Sequence, residues 1–258
     1  MNLKARVEGI GFWTRGLPTW ALAREYALTG TRPDEAPARP SPQLLPANER
    51  RRAPETVAIA LEVAMAACEA ARRDPASLPS VFTSTHGELG ITDYMCTTLA
   101  QDARALSPTR FHNSVHNAAA GYWTIGTGAM HPASAISAHT ASFAQGLLDA
   151  LAQLAEGHES VLLVAYDGQA TGAIARVAPS EGLLGGALVL SRTGTGARLQ
   201  ARLADVSTSH ADGPLSRFTS GNAMAPMLPL FDVLARGEGE ARLMAGPAHD
   251  LIVEVVRD

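Results

Sequence analysis

The chain is poor in the residues that mark metal, redox and nucleic-acid proteins. It has two cysteines in 258 residues, Cys68 and Cys96, at a spacing that fits neither a metal site nor a redox pair. Cys68 lies in an alanine-rich helical run and Cys96 in a second helical stretch, so both are expected as buried free thiols. No metal and no cofactor are expected. Aromatic residues make up 5%, too few for a base-stacking platform, and a net charge of -4 lacks the basic surplus that nucleic acid requires. No apolar run is long enough to span a membrane, and the amino end shows no basic-then-apolar signal region; a cytoplasmic protein is expected. The stretch GLLGGALVL lacks the Lys-Ser/Thr of a phosphate loop, and no GxSxG elbow occurs. With 46% hydrophobic and 18% charged residues, the chain is compact rather than disordered.

What the chain does have is an alternation of strands and helices. Residues 7–13 (VEGIGFW) read as a short strand with glycine kinks. Residues 30–54, rich in Pro, Ala, Arg and Asp, read as a loop on a surface or over a partner. Residues 54–73 predict a helix with Val57, Leu61, Ala64, Met65 and Cys68 on one stripe. A strand is expected over 80–84, a helix over 91–106, a short buried strand over 133–137 and a helix over 141–156. The run SVLLVA at 160–165 is all apolar, as in a sheet covered on both faces, and 185–191 reads the same way. Residues 198–205 alternate, so a more exposed strand is expected there. A helix over 224–235 and a strand over 251–257 complete an α/β layered pattern.

Several pieces of the chain resemble, in order, the amino-terminal half of the β-ketoacyl synthases. They are VFTSTHGELG, the loop and helix start FHNSVHNAAAG from Phe111, the segment SAISAHTASFAQGLLDALAQLAEG, and the strands SVLLVAYDGQ and GGALVLSR. The similarity runs over residues 7–192, and residues 193–258 read as a reduced remnant of the second half that a full synthase carries. His210 and His249 fall in that remnant, in no context that matches the family's catalytic histidines. The resemblance implies a thiolase-like α/β fold, an amino-terminal-half βαβαβ core with a truncated second half, in one domain over 1–258. The segment LPANERRR ahead of a long helix is similar to short, half-length members that act as chain-length-factor partners of ketosynthases, including those of aryl polyene pigment pathways.

The resemblance places the reactive cysteine of the family at Thr140, on a sharp turn reading ISAHTAS. A thiolate suits acyl transfer because its pKa lies near neutrality; an internal threonine hydroxyl attacks only beside a positioned base. The expectation is a vestigial nucleophile position, with the Thr140 hydroxyl capping the helix that follows. His139 is its one obvious neighbour, with the two side chains expected to point apart. Ser142 is expected to bond to backbone, and His139, Thr140 and Phe143 to lie near a vestigial pocket. The alternatives are a Thr140 or Ser142 nucleophile working with a histidine as an acyltransferase or hydrolase, and a role in gating acyl chains.

His112 and His116 have helical ligand spacing but no accompanying glutamate, so hydrogen bonding at an interface is expected of them rather than metal binding. Asn113 and Asn117 are expected in the same structural or interface role. Arg50, Arg51 and Arg52 read as a solvated helix start or as a contact for an acidic acyl carrier protein or a partner synthase. The implied partner is a full-length ketosynthase in a heterodimer that extends the two sheets across the contact, with a homodimer or homo-oligomeric scaffold as the alternative.

Overall fold

The computed structural model describes residues 3–206 and 213–257. His210 therefore lies outside the described residues. The elements run β1 (Leu3–Thr14), α1 (Trp20–Thr29), α2 (Ala47–Arg50), α3 (Glu55–Ala71), β2 (Ser80–Thr83), α4 (Leu89–Gln101), α5 (Pro108–His112), α6 (Ala118–Thr127), β3 (Ala133–Ile136), α7 (Ser142–Glu156), β4 (Ser160–Asp167), β5 (Leu184–Ser191), β6 (Ala197–Asp205), α8 (Pro214–Phe218), α9 (Leu228–Arg236), β7 (Gly239–Met244) and β8 (His249–Val256).

Among the described residues, one mixed sheet carries the eight strands in the order β3-β2-β4-β5-β1-β6-β8-β7. β2 lies parallel between β3 and β4, and β5 runs antiparallel to both β4 and β1. The carboxyl ends of β1, β2, β3 and β4 therefore share one end of the sheet. Every residue of β4 and β5 is buried, because helices cover both faces as their unbroken apolar runs require. Two apolar clusters result. One joins α1, α7, α8 and α9 to the sheet through Phe12, Phe143, Leu147 and Phe231; the other joins α3 and α6 through Trp13, Leu61, Phe82 and Trp123. Adjacent Phe12 and Trp13 go to opposite faces, as strand alternation dictates.

The glycines of β1 serve a close approach rather than a kink. A Cβ at Gly9 would sit 2.1 Å from the Ala67 carbonyl oxygen, and one at Gly11 2.0 Å from that of Val63. Helix α3 can lie directly on the strand only because both side chains are missing.

The far end of the sheet also meets α7, which contacts β7 as well as the central strands. Gln145 Nε2, in the first turns of α7, donates to the Ala245 carbonyl just beyond β7 (2.6 Å).

Four local expectations change. The strand at 133–137 is an edge strand, not a buried one: among the described residues β3 pairs only with β2, and Ala133 and Ala135 are exposed. Cys96 is exposed, because α4 buries only Leu89 and stands off the sheet. Cys68 is buried as expected, and burial pushes its thiol up to about 12. The helix expected over 91–106 stops at Gln101, where Asp102 caps a separate 3-10 turn over Ala103–Ala105. Helix α1 and strand β7 were not expected; α1 starts at Thr19, whose hydroxyl accepts from Leu22 N, and ends on left-handed Gly30.

Candidate functional site

The site is a corner at the carboxyl ends of β2, β3 and β4. β3 passes through Ser137 and Ala138 into a 3-10 turn, His139–Ala141, and then into α7. His139 takes φ +53, a left-handed backbone shared among described non-glycine residues only with Arg72. Such a backbone costs an ordinary side chain about 1–2 kcal/mol, so the surroundings must hold it. Ser142 does so from inside the turn: its Oγ accepts from Ala138 N (3.0 Å) and donates to the His139 carbonyl (2.7 Å). Thr85, just past β2, donates from Oγ1 to the same carbonyl (3.1 Å), while Ser137 Oγ donates to the Thr85 carbonyl (3.0 Å).

Thr85 is itself positioned by Asp167, the fully buried last residue of β4. One carboxylate oxygen accepts from Ser84 Oγ (2.7 Å) and His86 N (3.0 Å), the other from Thr85 N (2.8 Å). Burial pushes the Asp167 pKa up, against the pull of these donors. Asn222, also buried, donates from Nδ2 to the Asp167 carbonyl (3.3 Å) and to that of Glu181 (3.0 Å). Sequence reasoning missed Thr85, Asp167 and Asn222. The available signal was an aspartate closing an otherwise apolar buried strand, where an acid needs donors.

The expected roles divide. Thr140 does not cap α7, whose amino end has no side-chain cap; its Oγ1 donates instead to Met244 Sδ at the end of β7 (2.9 Å). Ser142 is the backbone partner expected of it. The side chains of His139 and Thr140 do not diverge: Nδ1 lies 3.4 Å from Oγ1, because the left-handed residue turns its side chain toward its successor. Among the described residues no third group orients the His139 ring, so the base–orienter pairing of an activated hydroxyl is absent. Phe143 is a core residue, its ring centroid 6.4 Å from that of Phe231. No thiol is present at the corner.

His112 and His116 do not share a helix face, since α5 ends at His112. His112 is exposed with its ring edge-on to Tyr122, while His116 Nε2 bonds the Ser84 carbonyl (2.9 Å) and so braces the corner. Among the described residues no cluster suits a metal ion. Asn113 is buried with Oδ1 unpartnered, and Asn117 is exposed at the start of α6. Arg51 bonds Asn48 and Arg50 donates to Ser41 Oγ (3.4 Å); Arg51 and Arg52 are exposed and Arg50 is half-buried. His249 is exposed at the start of β8.

Beside the corner lies a surface with several exposed apolar side chains. Among the described residues the outer edge of β3 has no partner strand; Ile125 and Met130 are 83% and 95% exposed, with Phe111 and Val115 also exposed, and Arg110, His112 and His131 are exposed beside them in the chain. No described helix is long and apolar enough to cross a membrane.

The model for the β-ketoacyl synthase N-terminal domain matches residues 23–248, well beyond residue 192 where the motif resemblance ends. No curated protein sequence matches the chain. Among solved structures, a chain from the complex of a ketosynthase (ApeO) with its chain length factor (ApeC) from Xenorhabdus doucetiae is 25% identical. The alignment covers 98% of this chain and 99% of that one, with a TM-score of 0.76. The ishigamide ketosynthase/chain length factor aligns at 11% identity and TM-score 0.74, over 99% and 100% of the two chains. A chain from AntDE:AntF, a type II PKS acyl-carrier protein in complex with its ketosynthase, aligns at 11% and 0.73 over the whole of both. The last two show the fold alone: the thiolase-like fold of the ketosynthases.

Proposed function

Because the chain belongs to the β-ketoacyl synthase N-terminal domain family, we propose that it is a chain-length-factor-like subunit without condensing activity of its own, pairing with a full-length ketosynthase whose cysteine does the chemistry. The observation that carries this reading is the corner itself. It keeps a strained strand-to-helix turn, the geometry that presents a nucleophile in such elbows. Its strained residue is His139, followed by Thr140, and the two cysteines lie elsewhere, in α3 and α4. An elbow maintained without a nucleophile serves shape. The surface beside it supports a docking role: an open parallel edge of small uncharged residues, flanked by exposed Ile125 and Met130, is what β-augmentation by another sheet requires.

In this reading the partner's sheet continues through β3, and the corner closes one end of a tunnel for the growing acyl chain. The pathway is cytoplasmic and of the fatty-acid/polyketide type, with aryl polyene formation favoured by the 25% identity to a chain from the ApeO–ApeC complex. Arg50, Arg51 and Arg52 are proposed to meet an acidic acyl carrier protein or the partner. Co-expression with a full ketosynthase encoded nearby tests the reading. A stable heteromer that extends an acyl chain, when neither subunit does so alone, is the expected result; homodimers alone would favour a self-associating scaffold. The 3.4 Å approach of His139 to Thr140 keeps an acyltransferase in view. Covalent acylation of Thr140 or Ser142, seen by mass spectrometry after incubation with a loaded carrier, would overturn the noncatalytic reading.

A further inference from the structure

Thr140 has one hydroxyl proton and two neighbours able to take it. Its Oγ1 donates to Met244 Sδ at 2.9 Å, while His139 Nδ1 stands 3.4 Å away. The thioether is the weaker acceptor by nature but the nearer one, and it holds the proton. Met244 therefore keeps this hydroxyl off the imidazole beside it.

The contact is pinned on both sides. Met244 ends β7 opposite Asp250. One residue on, Ala245 N donates to the His249 carbonyl (3.0 Å), and the Ala245 carbonyl accepts from Gln145 Nε2 (2.6 Å). Across the contact, the Ser142 hydroxyl ties Ala138 N to the His139 carbonyl. Two held backbones thus meet through one sulfur atom.

That sulfur is within reach of solvent. Met244 is 37% exposed and Met130 95%, whereas Met65 and Met95 are half-buried and Met224 and Met227 are 1% and 0% exposed. Accessible thioethers are the ones that oxidise, and the product is a polar, chiral sulfoxide. Met130 stands almost wholly in solvent; Met244 closes the elbow.

We propose that Met244 is a reversible oxidation site, and that its oxidation by hydrogen peroxide switches the Thr140 hydroxyl from sulfur to His139. The sulfur attacks one peroxide oxygen. The O–O bond breaks, an S–O bond forms, sulfur gives up two electrons, and the second oxygen leaves as water. A thiol-dependent methionine sulfoxide reductase reverses the step: two thiols become a disulfide and the oxygen departs as water. An S–O bond aimed at Thr140 would fall in the space that Oγ1 occupies, so the oxygen faces solvent. Sulfur becomes the positive end of the S–O dipole and no longer draws a proton. His139 Nδ1 is the acceptor already in reach. Oxidation thereby makes the hydroxyl–imidazole pairing that the reduced protein withholds. The step belongs to this chain alone and holds whether or not a ketosynthase pairs with it.

The test exposes the purified chain to graded hydrogen peroxide. Peptide mass spectrometry should find a gain of one oxygen at Met130 and Met244 before any at Met224 or Met227. NMR of the imidazoles should show the His139 signals moving in step with Met244 oxidation and returning after treatment with a methionine sulfoxide reductase and a dithiol. Met130→Leu should keep that response in full. Met244→Leu, which removes the sulfur at nearly constant volume, should lose it. The wild-type and Met130→Leu readings decide the matter even where Met244→Leu folds poorly. Met244 staying reduced once Met130 is fully oxidised, His139 signals that ignore Met244 oxidation, or an undiminished response in Met244→Leu would overturn the proposal.

Discussion

The two outer strands of the sheet are built on opposite principles. β7 is guarded: Glu240 and Arg242, two residues apart on the strand, pair along it at 3.1 Å, and charges on an edge deter another strand. β3 reads Ala-Ser-Ala-Ile, carries no charge, and is flanked by exposed Ile125 and Met130. One sheet thus has a closed edge and an open one, and the open one runs straight into the strained corner. The difference teaches that the two edges are not equivalent: charge deters strand addition at β7, and nothing in β3 itself does so, which is what the proposed pairing needs.

Importing the guard to the open edge is the strongest way to break this contrast. Ala133→Lys with Ala135→Lys should weaken ketosynthase pairing by roughly a hundredfold or more, since the added ammonium groups would be buried without partners. Stability of the chain alone should move by no more than about 0.5 kcal/mol, both positions being exposed. Cys68 serves as an internal control for folding there. With its thiol raised to about 12, it should resist alkylation in wild type and variant alike, while exposed Cys96 labels. Rapid labelling of Cys68 in the native protein would contradict the buried core.

Ser142→Ala attacks the corner from inside. It leaves Ala138 N without its acceptor, and chemical denaturation should show a loss of about 1–3 kcal/mol. A smaller effect belongs to the sheet's centre. Glu8 on β1 receives two bonds from Arg73, at 2.8 and 3.0 Å, and the Arg73 hydrogen bonds hold its pKa below the ordinary glutamate value. That contribution is complete above the ordinary value and fades as pH falls through the lowered one. Glu8→Gln should therefore cost about 1 kcal/mol at neutral pH and converge with wild type in acid. Least of all, Glu240→Ala with Arg242→Ala should change stability by under about 0.5 kcal/mol, since the pair is part-exposed. Self-association of that variant, seen by sedimentation, would show that the guard matters.

Much of the frame was legible in the sequence because it is local. The unbroken apolar runs at Val161–Ala165 and Gly185–Leu190 announced doubly covered strands, and the stripes of α3 and α7 announced their buried faces. Whether a strand is central or at an edge is decided by its neighbours, so the short apolar Ala133–Ile136 read as buried. The corner was half legible. Ser142 lies three residues from its acceptor and could be anticipated, whereas Thr140 and Met244 are 104 residues apart, and Thr85 reaches the His139 carbonyl across 54. No periodicity encodes such bonds. The backbone strain at His139, one residue before the expected Thr140, is likewise a property of the assembled turn.

The contact between α7 and β7 bears on the order in which the corner is built. Thr140 meets Met244, and Gln145 meets the Ala245 carbonyl, only once β7 has been synthesised and has paired. The two contacts span 104 and 100 residues, so β3 and α7 exist well before the corner is closed. A growing chain that has reached α7 holds the turn but leaves the Thr140 hydroxyl and the Gln145 amide without these partners.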